Sequence, residues 1–362
     1  MDIKTGRLLL IINPGAISTK FAIFEENESL FELNIEHSVA EIGGFKRITD
    51  QLQFRKEIII RELSARNTGL SSRLSVVIGR GGLIKPIESG VYEANDKMIQ
   101  DLRAGLLGEH ASNLGGLIAH EIVVAFPGSR AFIVDLVVVD EMEPVARLSG
   151  LPEINRISIF HALNHKAVAR MYASSVNRKY EDINLIVAHL GGGISVGAHR
   201  KGRVVDVNNA LNGDGPFSPE RSGSLPAGQL AELCFSGRYS LDQVRSMITG
   251  KGGMVAYLGT NSFRDVCKMA EESDQKAILV VEAAAYQIAR EIGAMSAVLK
   301  GEVDAIILTG GLAYREDFME KIKTMTGFIA QVLVYPGEDE IKSLAYNGLF
   351  ALDGKIEIKH YS

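Results

Sequence analysis

The chain has 362 residues, of which 46% are hydrophobic and 23% charged, and its formal net charge is −5. That length exceeds one compact core and points to two domains, while the composition is ordinary for a globular protein. With no basic excess, nucleic acid is not an expected partner. The two cysteines, Cys234 and Cys267, give no disulfide framework and fit a reducing cytoplasm. An apolar run from Leu8 to Ile12 is cut short by Asn13-Pro14-Gly15, so it reads as a strand and not as a secretion signal or membrane span. The expectation is a soluble, cytoplasmic protein with no membrane partner.

In chain order, the Leu8 to Ile12 strand is followed by a glycine turn, a second strand at Phe21 to Phe24 and a third at Leu30 to Ile35. From Phe45 to Arg66 the pattern is helical, with charges on one face and Leu52, Ile59 and Leu63 on another. Leu74 to Ile78 is again a strand and runs into Gly79-Arg80-Gly81-Gly82. A helix is predicted around Leu114 to Phe126, then a short strand from Ala131 to Val134 that ends at Asp135. Three adjacent strands followed by strands separated by helices suit a mixed sheet, a meander continued by parallel crossovers.

The second half repeats the scheme. Asn184 to Ala188 leads into His189-Leu190-Gly191-Gly192-Gly193, and strands follow at Ile194 to Ala198 and Arg203 to Val207. The clearest helix is Gln275 to Leu299. Val303 to Leu308 then runs into Thr309-Gly310-Gly311, Gln331 to Val334 is the expected last strand, and a helix closes the chain from about Asp339. Gly15-Ala16-Ile17-Ser18 matches Gly192-Gly193-Ile194-Ser195 at the same place in both strand orders, which reads as internal duplication. A duplicated pair of α/β domains is expected to leave a cleft between its halves, a favoured place for ligands.

A strand–glycine-turn–strand lets backbone N–H groups converge on an anion, because glycine has no Cβ to block the approach. Ser18, Thr19 and Ser195 add hydroxyls, and Lys20 adds a charge beside the first turn. Neither turn is a Walker A or dinucleotide fingerprint. Each alone reads equally well as an ordinary hairpin; both together, with the turn at Gly310 and Gly311, favour a polyphosphate nucleotide.

These three stretches resemble the phosphate-1, phosphate-2 and adenosine motifs of the superfamily of acetate and sugar kinases, Hsp70 and actin. Ile12-Asn13-Pro14-Gly15, Gly79-Arg80-Gly81-Gly82-Leu83 with Lys85-Pro86-Ile87, and Ala188 to Val196 are similar to the acetokinase family, most closely its butyrate kinase branch. The polar loop Asp214 to Gly223 is the most specific match, and the resemblance runs essentially the whole chain. It implies an α/β fold of duplicated RNase H-like (actin-like ATPase) domains with mixed five-stranded sheets and an interdomain cleft. Residues 1–182 are expected to form the acyl side and 183–362 the nucleotide side, with the final helix packing back on the first domain. It also implies ATP and ADP with Mg²⁺, and reversible phosphorylation of a short-chain carboxylate, butyrate before acetate, propionate or isobutyrate. Gly192, Ala16 and Ser262 depart from the acetate kinase pattern, as does Phe160-His161-Ala162-Leu163-Asn164-His165, which argues against acetate.

A carboxylate acceptor is already ionised, so phosphoryl transfer to it needs positioning and charge neutralisation but no general base. Arg80 and Arg221, in polar loops, are the candidate catalytic guanidiniums, and surface arginine is the plain alternative for both. His161 and His165 lie four apart; a zinc pair without a third ligand is a weak signal, and the resemblance makes His161 the catalytic donor and His165 a structural hydrogen-bonder. By the same resemblance His110 lies near the acceptor, with Arg80. Nucleotide contacts are expected from Asn13, Gly15, Ser18, Lys20, His189, Gly191, Gly192, Gly193, Ser195, Arg264, Gly310 and Gly311. Asp135 ends a buried strand, where carboxylates of parallel sheets reach ligands, and is assigned to Mg²⁺. Glu340, favoured over Glu338 and Asp339, is the second metal carboxylate, with N-cap duty as the alternative for this acidic cluster. The partners expected are a nucleotide, a small carboxylate and further copies of the chain in a dimer or larger homo-oligomer. The rival of a different class is an actin- or Hsp70-like conformational ATPase.

Overall fold

β1 (Leu8–Pro14) is buried at every position, as an unbroken apolar run must be when both faces of its sheet are covered. It is central. β2 (Ser18–Glu25) pairs with it antiparallel, and β3 (Glu28–Glu36) pairs antiparallel with β2. On the other side β4 (Leu74–Arg80) runs parallel to β1. β5 (Val91–Glu93) lies antiparallel to β6 (Arg130–Val134), which is parallel to β4. The structure is a computed structural model and describes residues 6–66, 73–106, 108–337 and 339–362.

β7 (Asn184–Leu190) is buried throughout in the same way. β8 (Ile194–Arg200) and β9 (Arg203–Val207) continue from it as an antiparallel meander, while β10 (Ala305–Gly310) and β11 (Val332–Pro336) add parallel strands on the other side. The order β11-β10-β7-β8-β9 repeats β6-β4-β1-β2-β3 strand for strand. The first sheet has seven strands where five were expected, because β5 and the two-residue strand Ile358–Lys359 extend it past β6.

The chain forms two compact units, Met1–Val139 with Asp339–Ser362, and Asp140–Glu338. The final helix, Glu340–Leu352, therefore belongs to the first unit, where Gly348 meets Ile78. The boundary lies at 139/140 and not at 182/183, because the Ala162–Ser175 helix packs on the second sheet. Its Val168, Ala169, Tyr172 and Ala173 bury Leu185, Val187, Ala305 and Ile307. The alternate residues Ile186, Ala188, Leu190, Ile306 and Leu308 face the Gln275–Val298 helix across the sheet, through Ala284, Ala285, Ile288 and Ile292. A period of two thus divides each central strand between two helical layers. Among the described residues no helix is long and apolar enough to cross a membrane.

In the first unit the Asn113–Ala125 helix packs closely on β4. A Cβ on Gly79 would run into the Gly115 carbonyl, and one on Gly115 into the Arg80 carbonyl. The two glycines let backbone touch backbone at the end of β4 that carries Arg80. Gly115→Ala is expected to cost about 1–3 kcal/mol of unfolding free energy, since an overpacked site forces backbone shifts. A urea titration reads this as a lower midpoint at unchanged slope, and a wild-type midpoint would show that the close approach is dispensable.

Candidate active site

In the first unit the parallel strands β1, β4 and β6 end side by side, with Ile12 opposite Gly79 and Arg80 opposite Val134. Their C-terminal ends deliver Asn13, Arg80 and Asp135 to one edge. Arg80 Nη1 donates to Glu340 Oε2 at 2.8 Å and to Asn13 Oδ1 at 3.3 Å, and Asn13 Nδ2 donates to the same Glu340 oxygen at 2.6 Å. Arg80 Nε and Nη2, and Glu340 Oε1, have no partner among the described residues. Asp135 is buried and has a φ of 36°, a conformation costly for a residue with a Cβ. Its Oδ1 accepts from Ser89 Oγ at 2.6 Å and Gly90 N at 2.9 Å. Asp339 caps the final helix, its side chain accepting from Lys342 N; Glu338 lies outside the described residues. His110 is exposed, with Nδ1 2.8 Å from Ser112 Oγ.

The first glycine turn closes through Gly15 N donating to Ser18 O at 2.9 Å. Lys20 does not charge this turn in the conformation described, since its Nζ pairs with Glu32 on β3 at 2.7 Å. The cation that touches the turn is Arg55, on the Leu52–Ala65 helix, and it is fully buried. Arg55 Nη1 donates to Gly15 O at 2.8 Å, Ser18 O at 2.6 Å and Thr19 Oγ1 at 3.2 Å; Nη2 donates to Ala16 O at 3.1 Å. Nε and Nη2 both donate to Gln51 Oε1. Placing the charges of this helix on a face apart from Leu52, Ile59 and Leu63 is thus corrected. Arg55 stands three residues after Leu52 and four before Ile59, on their face, and that spacing was the signal available.

In the second unit the turn after β7 closes through Gly191 N donating to Gly193 O at 3.1 Å. The polar loop from Asp214 is laced onto it. Ser218 Oγ donates to Gly192 O at 2.6 Å, Asn208 Oδ1 accepts from Val196 N at 2.7 Å, and Asn208 Nδ2 donates to Ile194 O at 3.0 Å and Asp214 O at 3.3 Å. The loop turns back through Ser218 N donating to Arg221 O. The Arg221 guanidinium occupies the space a Cβ on Gly193 would fill, and its Nη1 donates to Ala210 O. Its buried Nε has no hydrogen-bond partner among the described residues, and burial lowers its pKa below the ordinary guanidinium value.

Alternate residues of β8 (Ser195, Gly197 and His199) face the Ala162–Ser175 helix, whose N-cap is His161 and whose first turn carries His165. A row of hydrogen bonds results. His161 Nδ1 is 2.9 Å from Ser195 Oγ, which is 2.9 Å from His165 Nε2; His165 Nδ1 is 3.2 Å from His199 Nε2, and His199 Nδ1 is 2.7 Å from Tyr180 OH. His161 also stacks on His189, ring centroids 3.8 Å apart, and Asn164 Oδ1 lies 2.8 Å from His189 Nδ1. The pair at 161 and 165 is therefore bridged by a serine hydroxyl, and no cluster of three metal-ligating side chains occurs among the described residues. Burial holds His165 and His199 well below the ordinary histidine pKa.

The third turn is a glycine pair. Gly310 has φ 92°, exchanges backbone hydrogen bonds with Gly337 and lies against the Leu190 backbone, where a side chain would clash. Gly311 has open space beside it. Arg264 is exposed on the Phe263–Glu271 helix, which Ser262 caps by accepting from Asp265 N at 3.3 Å. Capping accounts for a serine at that position without any ligand.

The neutral buried histidines make stability depend on pH. In the unfolded chain both would protonate below about 6.5, whereas the folded state keeps them neutral, so unfolding takes up protons there. Their contribution is complete above that value and is lost as pH falls, by up to about 1.4 kcal/mol per pH unit for each. Unfolding midpoints between about pH 6.5 and 5 are expected to show this slope, and His199→Gln to reduce it by about half. A slope unchanged in the variant would count His199 out.

The model of the acetokinase family matches residues 153–332. Butyrate kinase 2 of Clostridium acetobutylicum is 53% identical over 353 residues, covering 98% of this chain and 99% of that protein. Among solved structures, acetate kinase of Porphyromonas gingivalis shares the fold with a TM-score of 0.79 at 19% identity, covering 96% of this chain and 100% of that one. A propionate kinase of Francisella tularensis does so with a TM-score of 0.75 at 18% identity, covering 94% and 98%. A match at this identity from one end of the chain to the other decides the matter: the protein belongs to the acetokinase family.

Proposed function

We propose that this enzyme transfers the γ-phosphoryl group of ATP to butyrate, giving butyryl phosphate and ADP in a reversible reaction. The observation that carries the reading is Arg221, a half-buried guanidinium laid against the second glycine turn, whose buried Nε lacks an acceptor among the described residues. A buried unpaired donor is costly unless a ligand completes it. Full-length similarity to a butyrate kinase supplies the acceptor.

The geometry supports one role for each residue. Arg221 neutralises the equatorial oxygens of the phosphoryl group in flight. The Nε and Nη2 edge of Arg80 grips the substrate carboxylate bidentately, while Nη1 stays with Glu340 and Asn13. His161, whose Nδ1 lies 2.9 Å from Ser195 Oγ, donates a hydrogen bond to the phosphoryl group. The amides of each glycine turn are donors for phosphate oxygens, and the glycine pair at 310 and 311, with open space beside Gly311, leaves room for adenosine. His110 borders the acceptor.

Magnesium is usually bound through one or two carboxylates together with substrate phosphates and water. Asp135, at a strand end in a strained conformation, and Glu340, whose Oε1 has no partner among the described residues, fit that pattern, and both sit in one unit. When bound, the ion neutralises phosphate charge; these two residues hold and orient it. Free thiols at Cys234 and Cys267 support a cytoplasmic location, and the exposed Leu279 and Tyr286 of the Gln275–Val298 helix support a homo-oligomer.

With Mg-ATP and straight-chain acids from acetate to hexanoate, kcat/KM is expected to peak at butyrate, with hydroxylamine trapping the acyl phosphate. Neighbouring acids should react within a factor set by about 1–3 kcal/mol per methylene. Negligible rates across the whole series would sink the proposal. Arg221→Ala is expected to lower kcat by about 10²–10³-fold, the effect of losing one transition-state donor. Unchanged turnover in that variant would remove Arg221 from the chemistry.

A further inference from the structure

We propose that Arg55 is the positioning residue of the first phosphate turn and the buried counter-charge of the phosphate it receives. The inference rests on reading that turn as a phosphate site, as above.

A guanidinium has five N–H donors in a fixed fork. At Arg55 all of them are aimed at neutral acceptors: three turn carbonyls, one hydroxyl and the Gln51 amide oxygen. No carboxylate pairs with it among the described residues, and its pKa is lowered by burial alone. His37, whose Nε2 lies 2.7 Å from the same Thr19 Oγ1, is held below its ordinary pKa by burial and by Arg55, so it adds no second positive charge. A full positive charge is therefore buried under the turn without a counter-ion.

The same contacts sort the backbone of the turn. Carbonyls of Gly15, Ala16 and Ser18 are taken by Arg55, and that of Ile17 by the His37 amide at 2.8 Å. The Ala16 and Ile17 amides make no backbone hydrogen bond among the described residues, and Ile17 is 63% exposed. With carbonyls fixed on one side, successive amides are left for an anion, the arrangement of a nest. The phosphate both completes those amides and neutralises the guanidinium. A lysine there would keep the charge but, with three donors and no fork, could not hold all of these acceptors.

The test compares ATP and adenosine binding by calorimetry in wild type, Arg55→Met and Arg55→Lys, together with kcat and KM. In Arg55→Met, ATP affinity is expected to fall by about tenfold or more and adenosine affinity to change by less than about twofold. Arg55→Lys keeps the charge and loses the fork, so ATP binding should hold better while kcat falls about tenfold. A purely structural clamp would weaken both ligands equally, and that result overturns the proposal, as does wild-type ATP affinity in Arg55→Met. Should Arg55→Met fail to fold, wild-type kcat and ATP affinity in Arg55→Lys overturn it. A wild type that binds no ATP overturns both this inference and the phosphate-turn reading. A wild type that binds ATP but does not phosphorylate butyrate overturns only the substrate.

Discussion

Both sheets depend on one constraint: β1 and β7 are buried along their whole length, so their backbone groups can be paired only by neighbouring strands. A strand in that position has no freedom to bend until it leaves the sheet. Each leaves through a glycine turn and returns as the antiparallel β2 or β8. Whatever is needed of these turns must be supplied by side chains around them, since the strands themselves are fixed. The parallel partners β4, β6, β10 and β11 then end beside the turns, which is why polar residues collect at the carboxyl edge of each sheet.

The two units solve the same problem with different residues. The first turn is braced from below by one buried arginine on a helix. The second is braced by Asn208, Ser218 and Arg221, two of them from the polar loop that follows β9. Identical topology with unlike bracing is what duplication followed by specialisation produces. The backbone path is kept because two-sided burial enforces it, and the supporting side chains are free to diverge.

The strand order was legible because it is written in the strongest signal a sequence carries, unbroken apolar runs punctuated by glycine. β5 and Ile358–Lys359 were not legible: three and two residues cannot show a period. The place of residues 140–182 was hidden because the Ala162–Ser175 helix buries Asn164, His165 and Lys166, polar residues that interrupt its apolar period. Their partners Ser195, His199 and Glu141 are distant in sequence. Arg55 was concealed by its charged neighbours Lys56 and Glu57, although its spacing from Leu52 and Ile59 placed it inward.

Among the described residues Arg55 and Lys166 are buried and Arg221 is half-buried, and the three differ in what balances them. Lys166 is paired with Glu141 at 2.7 Å inside the second unit, far from either turn in sequence, and the pair is neutral as a whole. Arg55 and Arg221 have no carboxylate partner among the described residues, and burial lowers the pKa of each. Removing an ion from water costs several kcal/mol even after relaxation, and hydrogen bonds to a charged group return about 1.5–3 kcal/mol each. Arg55 is nearly compensated in this way by carbonyls; Arg221, with one donor orphaned, is not. A fold stabilised for its own sake would have paired both, as it paired Lys166. Both charges that lack a carboxylate touch the glycine turns, and under the proposed function a polyphosphate held there would supply the missing negative charge, so that the electrostatic deficit of each unit would itself favour an anionic ligand.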